Sequence, residues 1–177
     1  LNEVCQPWLR PTMEYLLDSH FHQGLFFQSV FHTGLNPYLT AQVARVLIKL
    51  EDPRALKLMS ALSDAASPTV TWPEAINPRT QGGCMGDGDH GWAAAEFCNV
   101  LRQIVISEQS SELILFAGVP SEWLQSGCVT SIHSAPTFFG RITASLEADA
   151  RGVTARWNLE PWIGEDRKST RLNSSHA

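Results

Sequence analysis

Residues 36–62, NPYLTAQVARVLIKLEDPRALKLMSAL, carry two helix start signals in close succession. Asn36-Pro37 places a capping side chain before a proline at the first helical position, and Asp52-Pro53 repeats the pattern. Apolar residues follow at helical spacing, namely Tyr38, Leu39, Val43, Ala44, Val46, Leu47 and Leu50, then Ala55, Leu56, Leu58, Met59 and Leu62. We therefore predict a helix over about 37–50 and a second directly after it, forming an antiparallel hairpin.

A further helix is predicted on each side of this hairpin. The earlier one covers about 10–18, and the later one begins near Asp89, whose carboxylate can cap backbone amides, and continues to Val105. The connections 19–36 and 66–88 are long, whereas the turn inside the hairpin is short. Alternating long and short links in an array of helical hairpins place the long loops on one face, where binding sites are commonly built.

The pattern becomes strand-like after about Ser107. Strands are predicted over 112–119, 129–133, 141–148 and 153–159, and Asp149-Ala150-Arg151-Gly152 is typical of a hairpin turn. The sequence thus predicts a multidomain α+β chain, with a helical part over 1–108 and a small antiparallel β-domain over 109–164. Residues 169–176, STRLNSSH, resemble a translated sequencing adaptor, so 165–177 is interpreted as a non-native or disordered tail.

The composition limits the classes of partner. The chain has 177 residues, a formal charge of −5 and only 13 Lys and Arg, which argues against a nucleic-acid partner. No apolar run is long enough to span a bilayer, so no membrane partner is expected. Cys5, Cys84, Cys98 and Cys128 form no CxxC pair, so we expect buried free thiols and leave the cellular compartment open.

Several stretches resemble one family. Residues 72–76 (WPEAI), 78–80 (PRT), 82–88 (GGCMGDG) and 90–96 (HGWAAAE) resemble the last active-face loop and final inner helix of six-hairpin, or (α/α)6-toroid, glycosidases. Residues 31–40 (FHTGLNPYLT) resemble a preceding loop and inner helix, and 135–142 (APTFFGRI) is similar to a strand pair of the rhamnosidase-like C-terminal β-domain. A complete toroid has twelve helices and this sequence supplies about four, so the resemblance implies a C-terminal fragment whose partner is the missing N-terminal part of the toroid.

The resemblance implies hydrolysis of an unidentified carbohydrate by carboxylate acid/base chemistry, without a cofactor or metal. Such hydrolysis needs two carboxyl groups that flank the glycosidic bond, and Glu74, Asp87 and Asp89 are the candidate catalytic residues. Trp72-Pro73 could desolvate Glu74, as a general acid requires, but Glu74 could instead be a structural acceptor paired with Arg79 or a backbone amide. Capping or turn stabilisation is the alternative role of the two aspartates.

Five residues are candidate substrate-binding residues, namely His32, Trp72, Arg79, His90 and Trp92. An indole can stack on the apolar face of a pyranose, although either tryptophan could equally be a core residue, and Trp92 is expected to be the more buried. The spacing of His20 and His22 does not place two imidazoles on one helical face, which disfavours a metal site.

Two alternatives to a hydrolase remain open. A polysaccharide lyase also joins a helical toroid to a β-domain, and its proton abstraction would use Tyr38, His32, Asn36 and Arg79. A non-catalytic carbohydrate-binding or structural protein on the same scaffold is the other alternative. We expect the 177-residue chain alone to be inactive, because half a toroid cannot close a pocket.

Overall fold

The structure is a computed structural model that describes residues 6–29, 33–86, 88–109 and 111–162 and the backbone of 169–172. Within these residues the chain forms four α-helices and three β-sheets, so the fold is mixed α+β, as predicted. It divides into a helical unit, Glu3–Leu101, and a β unit whose described part begins at Arg102. The predicted division into domains at 108 and 164 remains a prediction.

The helical unit contains most of the helices and five short strands. In chain order the elements are α1 (Leu9–His20), β1 (Phe21–His22), β2 (Leu25–Gln28), β3 (Gly34–Asn36), α2 (Pro37–Lys49), α3 (Arg54–Asp64), β4 (Ala75–Ile76) and β5 (Gly83–Met85). The last helix, α4 (Gly91–Val105), begins in this unit and leads into the β unit. No helix in the described part of the chain is long and apolar enough to cross a membrane.

The predicted helical hairpin is confirmed. The side chain of Asn36 accepts a hydrogen bond from the backbone N–H of Leu39 at 3.3 Å, so α2 begins where the capping pattern places it. A carboxylate oxygen of Asp52 accepts the N–H of Arg54, the first residue of α3, at 3.0 Å, although the N-cap position itself is Pro53 and makes no side-chain cap hydrogen bond. The two helices pack against each other through their apolar faces. The buried residues there are Val43, Ala44, Leu47, Ala55, Leu58 and Leu62.

Arg54 links α1 to this hairpin. Its guanidinium donates to Glu14 of α1 at 2.7 Å and to Asp52 at 2.9 Å. The hydrogen bond from Arg54 is the largest influence on the Asp52 carboxyl and holds its pKa below the ordinary value despite partial burial. Arg10 also donates to the carbonyl of Leu50 at 3.1 Å, so α1 contacts the hairpin turn at two points.

The two long connections are not irregular loops, because together they form a five-stranded sheet. The strand order is β1-β2-β3-β4-β5 and all pairs are antiparallel. Leu35 pairs with Ile76, and this contact joins the first connection to the second. The sequence did not reveal these strands because segments of two to four residues are too short to show alternation.

The β unit contains two further sheets. After α4 come β6 (Ile106–Gln109), β7 (Glu112–Leu115), β8 (Val129–Thr137), β9 (Gly140–Asp149), β10 (Gly152–Pro161) and β11 (Ser169–Leu172). One sheet has the order β10-β9-β8 and is antiparallel, whereas the other has the order β11-β7-β6, with β11 parallel to β7. The predicted hairpin between β9 and β10 is confirmed by the pairing of Asp149 with Gly152. Neither β6 nor β11 was predicted, and the origin of residues 165–177 remains a prediction.

The expectation of buried cysteines was wrong for the described residues. Cys84 and Cys98 are exposed and Cys128 is half-buried, all as free thiols, while Cys5 lies outside the described residues. Cys98 lies on the face of α4 opposite the buried Val100. The expectation rested on the average burial of the residue type, which carries no information about helix orientation.

Candidate functional site

Two aromatic side chains meet where α2 and α4 begin. Tyr38 and Trp92 are the second residues of their helices, and their rings stack with centroids 4.5 Å apart and planes at 24°. One turn further along, Gln42 donates to Glu96 at 3.3 Å. The contact of Gln42 with Glu96 lies four residues after that of Tyr38 with Trp92 on both helices. Helices α2 and α4 therefore run side by side in the same direction.

Glu96 is the centre of the polar contacts behind this stack. Its carboxylate accepts hydrogen bonds from Arg45 at 2.7 Å, Gln42 at 3.3 Å and the indole N–H of Trp92 at 3.4 Å. Burial is the largest single influence and raises the pKa of Glu96, but the hydrogen bonds from Arg45, Gln42 and Trp92 and the charge of Arg45 together outweigh it and lower the pKa. Glu96 is therefore ionised and orients the indole of Trp92.

His90 completes the aromatic group. Its ring centroid lies 5.4 Å from that of Tyr38 and 6.5 Å from that of Trp92. Its backbone N–H donates to the carbonyl of Trp72 at 2.8 Å, which fixes the position of the residue just before α4. Its Nδ1 atom is buried and has no hydrogen-bond partner among the described residues. We call Tyr38, His90 and Trp92 the aromatic platform.

The platform presents an open aromatic face. Trp92 is 53% exposed although one side of its ring lies on Tyr38. The indole N–H of Trp92 donates to Glu96 and one face of the ring stacks on Tyr38. These two contacts fix the orientation of the indole in the absence of a ligand. A rigid, exposed indole with polar side chains at its edge is suited to a ligand that has both an apolar face and hydroxyl groups.

Trp72 is buried whereas Trp92 is exposed, which is the reverse of the predicted order of burial. It is 1% exposed, its indole N–H donates to the carbonyl of Leu62 at 2.9 Å, and its ring lies 4.9 Å from that of Phe97. An indole so enclosed has no face open to a sugar. The expectation that Trp92 is the more buried of the two was wrong, because Trp92 lies on the outward side of the first turn of α4.

The predicted catalytic carboxylates differ in their surroundings. Glu74 is half-buried, and among the described residues its carboxylate makes no hydrogen bond and no ion pair, including none with Arg79. Asp89 is exposed. Asp87 lies outside the described residues.

The remaining predicted binding residues are not brought to the platform by any described contact. Arg79 is exposed in a turn in which the side chain of Asn77 accepts its backbone N–H at 2.9 Å. His32 lies outside the described residues. Asn36, which the lyase alternative requires, is fully buried and its amide is used as a helix cap and a donor to Gln28.

No group of metal ligands is found among the described residues. No set of three or more His, Cys, Asp or Glu side chains there could hold a metal ion. The ring of His20 makes an edge contact with that of Tyr15 at 5.5 Å and stacks with that of Phe26 at 5.7 Å, so its imidazole packs as an aromatic group. His22 lies 6.2 Å from Phe27 in a similar edge contact.

Three polar contributors to the site were missed from the sequence. Arg45 and Gln42 lie on α2 and Glu96 lies on α4, so their contact joins residues far apart in the chain. Gln42 and Glu96 lie four positions after Tyr38 and Trp92, and Arg45 lies seven positions after Tyr38, so their helical spacing is the signal that would have indicated one shared face.

Comparison with known proteins adds no assignment. No family model, no curated protein and no solved structure matches this chain. The platform and its polar neighbours are therefore the observations on which a functional proposal depends.

Proposed function

We propose that this chain is part of a glycoside hydrolase-like protein of the six-hairpin, (α/α)6-toroid class, and that its aromatic platform binds a sugar ring. The observation that carries the proposal is the exposed indole of Trp92, stacked on Tyr38 and fixed by Glu96. A pyranose has an apolar face of C–H groups and a rim of hydroxyls. The open indole face would cover the C–H groups.

The polar groups beside the platform suit the rim of a sugar. Gln42 is half-exposed and donates to Glu96 through its amide, whose two N–H groups allow a second donor to reach a hydroxyl oxygen. Because the carboxylate of Glu96 is ionised and compensated by Arg45, it is suited to orienting groups rather than to giving up a proton. Glu96 is thus a positioning residue in the proposal.

The helix arrangement is compatible with a toroid. Helices α2 and α4 run parallel to each other. Helix α3, which lies between them in sequence, follows α2 after a short turn and forms the hairpin with it. An array of helical hairpins requires this alternation, with neighbouring inner helices aligned and their first turns at one face. The first turns of α2 and α4 both contribute to the platform.

Glu74 is the carboxylate we assign to acid catalysis. It is half-buried and its carboxylate forms no ion pair with the described residues, so it is available to a bound ligand. Asp87 and Asp89 lie on the same connection as candidates for the second carboxyl group, and the rest of the toroid would supply the remaining walls of the cleft.

The binding part of the proposal is tested with the 177-residue chain. Tryptophan fluorescence is measured during titration with cellohexaose, maltohexaose and xylohexaose, for the unaltered chain, Trp92→Ala and the control Trp8→Ala, which replaces another exposed indole of the helical unit. We expect at least one sugar to bind, and Trp92→Ala to weaken binding roughly tenfold, whereas Trp8→Ala has no effect. Equal affinity in all three proteins, or no response to any sugar, would contradict the proposal.

The catalytic part requires the chain extended by its upstream reading frame. There Glu74→Gln should lower the release of reducing sugar roughly 10²- to 10⁴-fold and leave sugar binding unchanged. Unchanged turnover would remove Glu74 from the mechanism, and unsaturated, ultraviolet-absorbing products would identify a lyase instead. Turnover by the 177-residue chain alone would contradict the expectation that it lacks a closed cleft.

A further inference from the structure

β10 is an edge strand of the sheet β10-β9-β8. This ten-residue strand pairs with β9 on one side, and in the part of the chain that the structure describes no strand pairs with its other side. Natural edge strands are usually protected by lysines, bulges or covering segments, because an open edge recruits a further strand. β10 contains no lysine, and its register with β9 is unbroken from Gly152 to Pro161.

The backbone groups that face outward can be identified. Ala148 of β9 donates its N–H to Cys128, and its carbonyl accepts the N–H of Gly127, so both its groups point to the β8 side. Its neighbour Glu147 must therefore point toward β10, where it pairs with Thr154. Alternate residues of β10 consequently direct their N–H and C=O groups away from the sheet. They are Val153, Ala155, Trp157, Leu159 and Pro161.

The two faces of β10 differ in chemistry. Val153 and Trp157, each 46% exposed, continue the apolar face that is buried on β9 at their pairing partners Ala148 and Ala144. The opposite face is polar, with alternating residues that include an exposed arginine and an exposed glutamate. These residues are Thr154, Arg156, Asn158 and Glu160.

We propose that a second copy of this chain pairs with β10 in antiparallel orientation about Asn158, which doubles the three-stranded sheet. In this register Arg156, which forms an ion pair with Glu147 of β9 at 2.6 Å, also lies opposite the partner's Glu160, and two-fold symmetry repeats this second ion pair. On the other face Trp157 lies opposite the partner's Leu159, an aromatic–aliphatic cross-strand pair. No two like charges face each other.

The backbone groups fit the same register. Trp157 exchanges N–H···O=C bonds with the partner's Leu159, since both residues direct their groups outward. Ala155 donates its N–H to the carbonyl of the partner's Pro161. Because proline has no backbone N–H, this pair leaves no donor of Pro161 unpaired. Shifting the centre to Trp157 would place Arg156 opposite the partner's Asn158 and remove both ion pairs. The strand is thus complementary to itself in one register, which favours a second copy over an unrelated strand.

Sedimentation over a concentration series tests the proposal with the whole chain. We expect a reversible monomer–dimer equilibrium that Leu159→Pro abolishes. The N–H lost in this variant faces outward, so the variant keeps its pairing with β9, as circular dichroism verifies. A chain that stays monomeric at every concentration overturns the proposal, as does a dimer that survives Leu159→Pro.

Charge reversal tests the register. In a background of Glu147→Gln and Arg141→Gln, which removes the β9 charges beside positions 156 and 160, Arg156→Glu should weaken dimerisation roughly tenfold or more, and adding Glu160→Arg should restore it. Arg151→Glu is the matched control, since it makes the same charge change in the β9–β10 turn, outside the paired segment. Failure of the double variant to recover, or an equal effect of the control, overturns the register.

A cysteine at the symmetry centre gives an independent measurement. Asn158 would face its own copy in a non-hydrogen-bonded pair, whose Cα atoms are about 4.5 Å apart, within disulfide range. Asn158→Cys should therefore form a covalent dimer on mild oxidation, whereas Thr154→Cys should form no more than the unaltered chain. Equal crosslinking of the two variants overturns the proposed centre.

Discussion

Replacing Trp72 by phenylalanine should destabilise the helical unit substantially. Trp72 is 1% exposed, and its indole N–H is the partner of the Leu62 carbonyl in the last turn of α3, where the helix itself supplies no donor. Leaving that acceptor unpaired costs about 1–3 kcal/mol. The smaller ring also leaves a cavity beside Phe97, which adds about 1 kcal/mol. The expected loss in the free energy of unfolding is therefore about 2–4 kcal/mol.

Urea unfolding followed by far-ultraviolet circular dichroism measures this loss, since most helices lie in the helical unit. With a slope of about 1–3 kcal/mol/M, the midpoint should fall by about 1–2 M. Trp8→Phe is the matched control because Trp8 is 59% exposed, and its effect should stay within about 0.5 kcal/mol. Equal small shifts for both variants would refute the assignment of Trp72 to the core.

Three further outcomes are expected. Asp52→Asn should lower the free energy of unfolding by about 1–3 kcal/mol in thermal or urea unfolding, because Arg54 loses a charged acceptor, and an unchanged midpoint would contradict this. The pKa of Asp52 is lowered on folding, so its contribution is present above the unfolded value of about 3.9 and is lost as the pH falls through the folded value. Acid titration of stability should accordingly be shallower in Asp52→Asn than in the unaltered chain. Glu96→Gln should leave the chain folded but change the tryptophan emission and weaken sugar binding roughly tenfold, because Trp92 loses its charged acceptor. An unchanged emission spectrum and an unchanged affinity would exclude the orienting role of Glu96.

The parts of the fold with strong local signals were predictable. The start of α2 at Asn36-Pro37 combines a cap with a fixed proline angle, and both act within a few residues. Ile142, Ala144 and Leu146 alternate with polar residues over a long strand, so β9 was evident as well. The short strands of the five-stranded sheet were not, because only their pairing with distant segments makes them strands.

The candidate site was predictable only in outline. Sequence placed His90 and Trp92 where a long connection enters a helix, and α4 does begin at Gly91. It could not rank Trp72 and Trp92 by burial. Trp72 lies in a connection and Trp92 in the first turn of a helix, and in neither case does helical spacing indicate which neighbour covers the indole. The role of Glu96 depends on Arg45 from another helix, a contact that one local pattern cannot reveal.

Trp72 has a further consequence through its backbone. Its carbonyl accepts the N–H of His90 at 2.8 Å and so joins the two ends of segment 73–89, while the pairing of Ile76 with Leu35 holds β4 of this segment against β3. The cost of closing a loop grows only slowly with its length, so the turn 77–82 between β4 and β5 is the part of the segment that tolerates inserted residues. Glu74, Arg79 and Asp89 all lie within segment 73–89. Under the proposed function, the length of this turn can therefore change near the candidate carboxylates while the platform keeps its position.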